Sequence, residues 1–151
     1  MIMRISNNFI FFTLFLTFTY NAESQTDIGA VKFETLVASS KDWEGHKLPE
    51  MRPGQQELTI VRVTIPPGKQ MPVHKHPVLN GVYIEKGTLT IVLPGQKETL
   101  TLGEGKAFIE VTNKWHYGRN DGKDPVIIVL FYSGPEGEPT TIFKNPDEKL
   151  Q

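Results

Sequence analysis

Residues 68–87 read GKQMPVHKHPVLNGVYIEKG, and the pair His74-Lys75-His76 stands near the centre. On a β-strand, residues i and i+2 point to the same face, so two imidazoles at this spacing can converge on one ion. One strand cannot surround a metal, and a third donor has to come from another. The sequence holds only four histidines, His46, His74, His76 and His116. His116 is the candidate third donor, following Trp115 in the stretch 105–120, GKAFIEVTNKWHYGRN. The competing reading of these three is a metal-free pocket in which they bind ligand or solvent. His46 lies in a polar loop with Trp43 and Gly45 and reads as surface.

Outward from these stretches the chain reads as short strands. All 13 glycines and all 11 prolines lie after Ser24, and they interrupt the chain too often for helices. Leu58–Ile65 is rich in β-branched residues and reads as a strand, with an edge that offers a route to a homodimer. Thr88–Leu93 alternates, with Leu89, Ile91 and Leu93 on one face, and Leu100 and Leu102 alternate with Thr99 and Thr101. Pro94-Gly95-Gln96 between them reads as a hairpin turn. Val126–Tyr132 is continuously apolar, the pattern of a strand covered on both faces. Val31–Glu44 reads as a strand, although Phe33, Leu36 and Val37 also fit one helical turn. Gly134–Gln151, with three prolines and many charges, reads as a surface tail. Many short strands at this spacing make an all-β sandwich or barrel.

The chain has 151 residues, one domain's worth. Sixteen basic and 17 acidic residues give a net charge of -1 with no basic cluster, which argues against nucleic acid as a partner. A content of 38% hydrophobic and 22% charged residues argues against disorder. The absence of cysteine excludes disulfides, thiolate metal sites and a cysteine nucleophile. Residues 1–24 read as a secretory signal peptide. Arg4 precedes the 12-residue apolar run Phe9–Tyr20, and Ala22-Glu23-Ser24 places small residues three and one before a cut. Twelve residues fall short of the ~20 needed to span a bilayer. The rival reading is an uncleaved anchor. Cleavage leaves residues 25–151 as a single periplasmic or secreted domain with no membrane attachment.

Two spacings narrow the fold further. Gly68, five residues, His74-Lys75-His76, three residues, Asn80, six residues, Gly87 follows G-x5-H-x-H-x(3,4)-E-x6-G. Gly105, five residues, Val111-Thr112-Asn113, two residues, His116, three residues, Asn120 follows G-x5-P-x-G-x2-H-x3-N. With both in order, the chain resembles the cupin superfamily, as a small single-domain member, over about residues 57–133. The resemblance implies a double-stranded β-helix, a jelly-roll barrel with a site inside its mouth. It implies a divalent transition metal held by His74, His76 and His116; Fe, Mn, Ni, Cu and Zn all suit imidazole.

Three positions depart from the family pattern. Asn80 stands where the family has a glutamate ligand, as either a weak fourth ligand or a pocket amide. Val111 and Asn113 replace a proline and a glycine, and Asn tolerates positive φ nearly as glycine does. Three neutral imidazoles and an amide leave an ion its full charge, which favours anionic ligands. Glu85 has the wrong strand parity to replace the missing carboxylate. Glu110 reads as a solvated side chain or, less commonly, as a base in the pocket. Tyr83, Trp115, Tyr117 and Phe131 are candidate cavity aromatics, with Tyr83, Trp115 and Glu110 taken as the substrate pocket. Asn120 reads as a structural hydrogen-bonding residue. The family holds dioxygenases, isomerases, decarboxylases, sensors and storage proteins, so fold does not choose the reaction. The expectation is metal-dependent, oxygenase-type chemistry on a small organic ligand. Its rival is a non-catalytic module that binds a small molecule or a metal.

Overall fold

The computed structural model describes residues 27–28 and 31–147. The expected signal peptide lies outside them. The chain divides into two compact units, Met1–Glu34 and Thr35–Gln151. In the first, β1 (Asp27–Ile28) and β2 (Val31–Lys32) pair antiparallel, Asp27 opposite Lys32 and Ile28 opposite Val31.

The second unit carries β3 (Gln56–Ile65), β4 (His74–Lys75), β5 (Leu79–Lys86), β6 (Thr88–Val92), β7 (Thr99–Gly103), β8 (Ala107–Ile109), β9 (Tyr117–Arg119), β10 (Val126–Pro135) and β11 (Ile142–Phe143). Among the described residues there is no helix. One sheet has the order β3-β10-β5-β8, a second β7-β6-β9 and a third β11-β4, and all their ladders are antiparallel. This is the double-stranded β-helix that the resemblance implies.

Local chemistry explains the corners. Leu93–Gln96 closes the β6–β7 hairpin with a 3.0 Å bond from the Gln96 N–H to the Leu93 carbonyl. Pro94 precedes Gly95 at φ 89°, the arrangement of a type II turn. At Gly87, where the chain passes from β5 to β6, a Cβ would lie 3.0 Å from the Pro125 carbonyl oxygen. Inward-facing Leu89, Ile91 and Leu93 join Val82, Ile84, Val126, Ile128 and Leu130 in the core. Asn120 ties three pieces together as expected. Its Nδ2 donates to Ile65 O at 2.9 Å and Asp124 O at 2.8 Å, and its Oδ1 accepts from Gly122 N–H at 2.9 Å.

Three expectations change. Only Val31–Lys32 of the segment 31–44 is in a strand; the rest has no ladder, and Asp42–His46 forms a turn. β10 is central in its sheet, yet its burial alternates. Val126, Ile128, Leu130 and Tyr132 point inward while Phe131 is 42% exposed, because no second layer covers that face fully. The segment after Gly134 is not merely a surface tail: Ile142–Phe143 pairs with His74–Lys75, Phe143 opposite His74. β3 lies at a sheet edge, with Leu58 and Ile60 exposed on it. The homodimer reading rests on this edge.

Candidate metal centre

His74 and His116 are opposed across two chain segments. The His74 N–H donates to the His116 carbonyl at 2.9 Å, and the His116 N–H to the His74 carbonyl at 2.8 Å. Directly paired residues present their side chains on one face. His76 shares that face by strand parity, and its carbonyl accepts the Asn113 N–H at 2.8 Å. All three histidines are buried. Their ring centroids lie 4.6 to 5.0 Å apart, and one ring nitrogen from each falls within 4.8 Å of the others.

The other nitrogen of each ring is committed. Nδ1 of His74 lies 2.7 Å from the Pro72 carbonyl, Nδ1 of His76 2.8 Å from that of Thr140, and Nδ1 of His116 2.9 Å from that of Lys114. A carbonyl only accepts, so each Nδ1 carries the proton and each Nε2 keeps its lone pair. Burial, then the nearby His116, lowers the His74 pKa to about 4. Burial, then His116 and His74, lowers that of His76 to about 3. Burial lowers that of His116. The site at neutral pH is three uncharged imidazoles of one tautomer.

These rings and Glu110 line a cavity of about 10 Å³, room for one water molecule or one ion. Its other walls are apolar, among them Met71, Leu89, Ile91 and Leu130. Three lone pairs and a carboxylate around an ion-sized space suit a divalent transition metal.

Glu110 is 2% exposed, so the solvated reading of this residue is wrong. It follows β8, where Trp43 covers it. The indole N–H and the Val111 N–H both donate to Oε1 at 3.1 Å, and the Trp43 backbone N–H donates to the Ile109 carbonyl at 3.0 Å. Oε2 lies 3.8 Å from His116 Nε2. With His116 held neutral, this contact is not an ion pair at neutral pH. Burial raises the Glu110 pKa to about 7 despite those two hydrogen bonds. Asn80 is buried on the inward face of β5, and neither atom of its amide has a hydrogen-bond partner. It is not among the residues that line the histidine cavity.

The Cupin domain family matches residues 61–132. The chain belongs to the cupin superfamily. No curated protein matches its sequence. Among solved structures it is similar to the DMSP lyase DddQ of Ruegeria pomeroyi DSS-3, with 22% identity, a TM-score of 0.51, and coverage of 61% of this chain and 45% of the lyase. An oxalate decarboxylase of Lactobacillus farciminis, in a formate complex, gives 22%, 0.50, 58% and 26% in the same order. A double-stranded β-helix protein of Klebsiella pneumoniae subsp. pneumoniae gives 17%, 0.51, 74% and 99%. This cupin therefore spans under half of the lyase and about a quarter of the decarboxylase.

Several candidate residues of this cupin fall elsewhere. Tyr83 has the opposite parity to inward-facing Val82 and sits on the outer face of β5. Trp115 is 36% exposed, with the Lys75 ammonium 5.2 Å from its ring centroid. Neither lines the histidine cavity, nor do Tyr117 and Phe131. Besides Phe143, whose ring lies 6.1 Å from that of His74, the aromatic ring against the site is that of Tyr132, 5.1 Å from the His76 ring. Alternation along β10 would have found it. Glu85 faces away, as expected, and pairs with Arg62 at 2.9 Å. Asp42, Glu44 and His46 form a second, more exposed group, and the Lys114 ammonium already pairs with Glu44 there. A larger cleft of about 370 Å³ runs between Pro49–Arg52 and two segments, Thr112–Asn113 and Pro77–Leu79, the latter lying between His76 and Asn80 in sequence.

Proposed function

We propose that this cupin is an exported protein whose His74, His76 and His116 hold one divalent transition metal, Fe, Mn, Ni, Cu or Zn, and which carries out oxygenase-type chemistry on a small organic ligand. The observation that carries this reading is the common tautomer: three Nε2 lone pairs share a cavity the size of one ion. When bound there, such an ion supplies Lewis acidity and, where it is redox-active, electron transfer. The chain's own part is preorganisation. The carbonyls of Pro72, Lys114 and Thr140 fix the three rings, and apolar side chains form most of the cavity wall. The cleft beside Pro77–Leu79 has the volume for a small molecule. A small anionic or enol-type compound suits the positive charge that three neutral ligands leave on an ion. Export rests on the reading of residues 1–24 as a signal peptide.

One observation favours a second reading. A cavity of about 10 Å³ admits no organic substrate without side-chain movement, which fits a module that binds without turnover. Oxygen uptake separates the two. The metal-loaded protein is assayed with flavonols, diketones and thiols beside His116→Ala. Turnover lost in the variant supports the enzyme; no turnover by a fully metallated protein leaves the binding module.

A further inference from the structure

His116 Nε2 and Glu110 Oε2 approach each other in this site with no protein N–H between them. His116 Nε2 bears a lone pair, because its Nδ1 proton points to the Lys114 carbonyl. Glu110 Oε2 lies 3.8 Å away, too far for a direct hydrogen bond. Both protein N–H groups that reach this carboxylate, from Trp43 and Val111, go to Oε1. Two lone pairs turned toward each other in an apolar enclosure call for something positive between them. Asn80 does not meet that need: its amide is neutral and does not line the cavity.

We propose that Glu110 supplies the anionic donor that position 80 lacks, its Oε2 completing a three-histidine, one-carboxylate set for the metal. The proposal rests on the reading of the three histidines as metal ligands. Trp43 is a positioning residue in this arrangement. Its indole N–H and the Val111 N–H fix Oε1, which leaves Oε2 without an N–H partner, 3.8 Å from His116 Nε2. The carboxylate has moved from the strand after the His-x-His pair to the end of the strand before His116, and it still neutralises one charge of the ion.

Cobalt(II) titration tests this, with affinity measured by chelator competition and the ligand field by visible absorption. Wild type, Glu110→Gln and Asn80→Ala are compared. Wild type is expected to bind one cobalt per chain. Glu110→Gln should bind at least about tenfold more weakly, with shifted d–d bands, while Asn80→Ala stays within about threefold with unchanged bands. Wild-type affinity and bands in Glu110→Gln overturn the proposal, and so does a tenfold loss in Asn80→Ala. Where circular dichroism shows Glu110→Gln unfolded, Trp43→Phe is read instead. A weakened site with altered bands supports the proposal, and an unchanged site overturns it. A wild-type protein that binds no cobalt removes the histidine reading itself, and the proposal with it.

Discussion

At the scale of single residues, the site depends on three backbone carbonyls. Each fixes one imidazole in the tautomer that leaves Nε2 free, and burial keeps the rings uncharged. This sets a pH dependence in the metal-free protein. An unfolded histidine takes its proton near pH 6.5, whereas folded His74 and His76 resist until about 4 and about 3. The unfolded state therefore binds more protons as pH falls below 6.5, and stability is lost down to those folded values. Each excess proton costs about 1.4 kcal/mol per pH unit. Glu110, raised to about 7 from 4.5, acts in the opposite sense between those two values. It offsets one of three histidines. The thermal midpoint of the metal-free protein should fall from pH 7 to about pH 4, the slope easing once folded His74 and then His76 begin to titrate. A flat profile would mean that the histidines are not buried neutral. The histidines were legible because i, i+2 parity fixes their shared face. Glu110 was not: burial of a carboxylate depends on Trp43, 67 residues away.

At the scale of elements, the turn before His116 does what a glycine would. Asn113 has φ 58° and is the single non-glycine residue with positive φ among those described. Its N–H holds the His76 carbonyl at 2.8 Å, so the turn sets the distance between the two histidine-bearing segments. Asn113→Gly should change stability by no more than a few tenths of a kcal/mol, whereas Asn113→Val should cost about 1–2 kcal/mol from left-handed strain. Denaturant unfolding of the two variants checks this, and equal midpoints would contradict it. Hairpins and alternating strands were readable here because Pro94-Gly95 and the Leu89, Ile91, Leu93 stripe are local signals. Val126–Tyr132 misled because a central strand in a single sheet can be apolar on both sides while Phe131 stays exposed. β11 carried no local signal; its pairing with His74–Lys75 is decided by a partner some 68 positions earlier.

At the scale of the whole molecule, four distant parts of the chain meet at one point. Trp43 braces Glu110, His74 and His76 face His116, and Thr140 orients His76. Spacing motifs cover residues 68–120, and the brace at position 43 and the carbonyl at position 140 lie beyond them. That is why the three histidines were visible in the sequence and their support was not. The central claim is that this convergence holds one metal ion. The most direct measurement is elemental analysis of residues 25–151, purified without chelator and without a histidine-rich tag, beside His116→Ala. The account predicts about one divalent ion per chain in the wild type and none in the variant. No metal in the wild type, even after incubation with Fe, Mn, Ni, Cu and Zn, would contradict it.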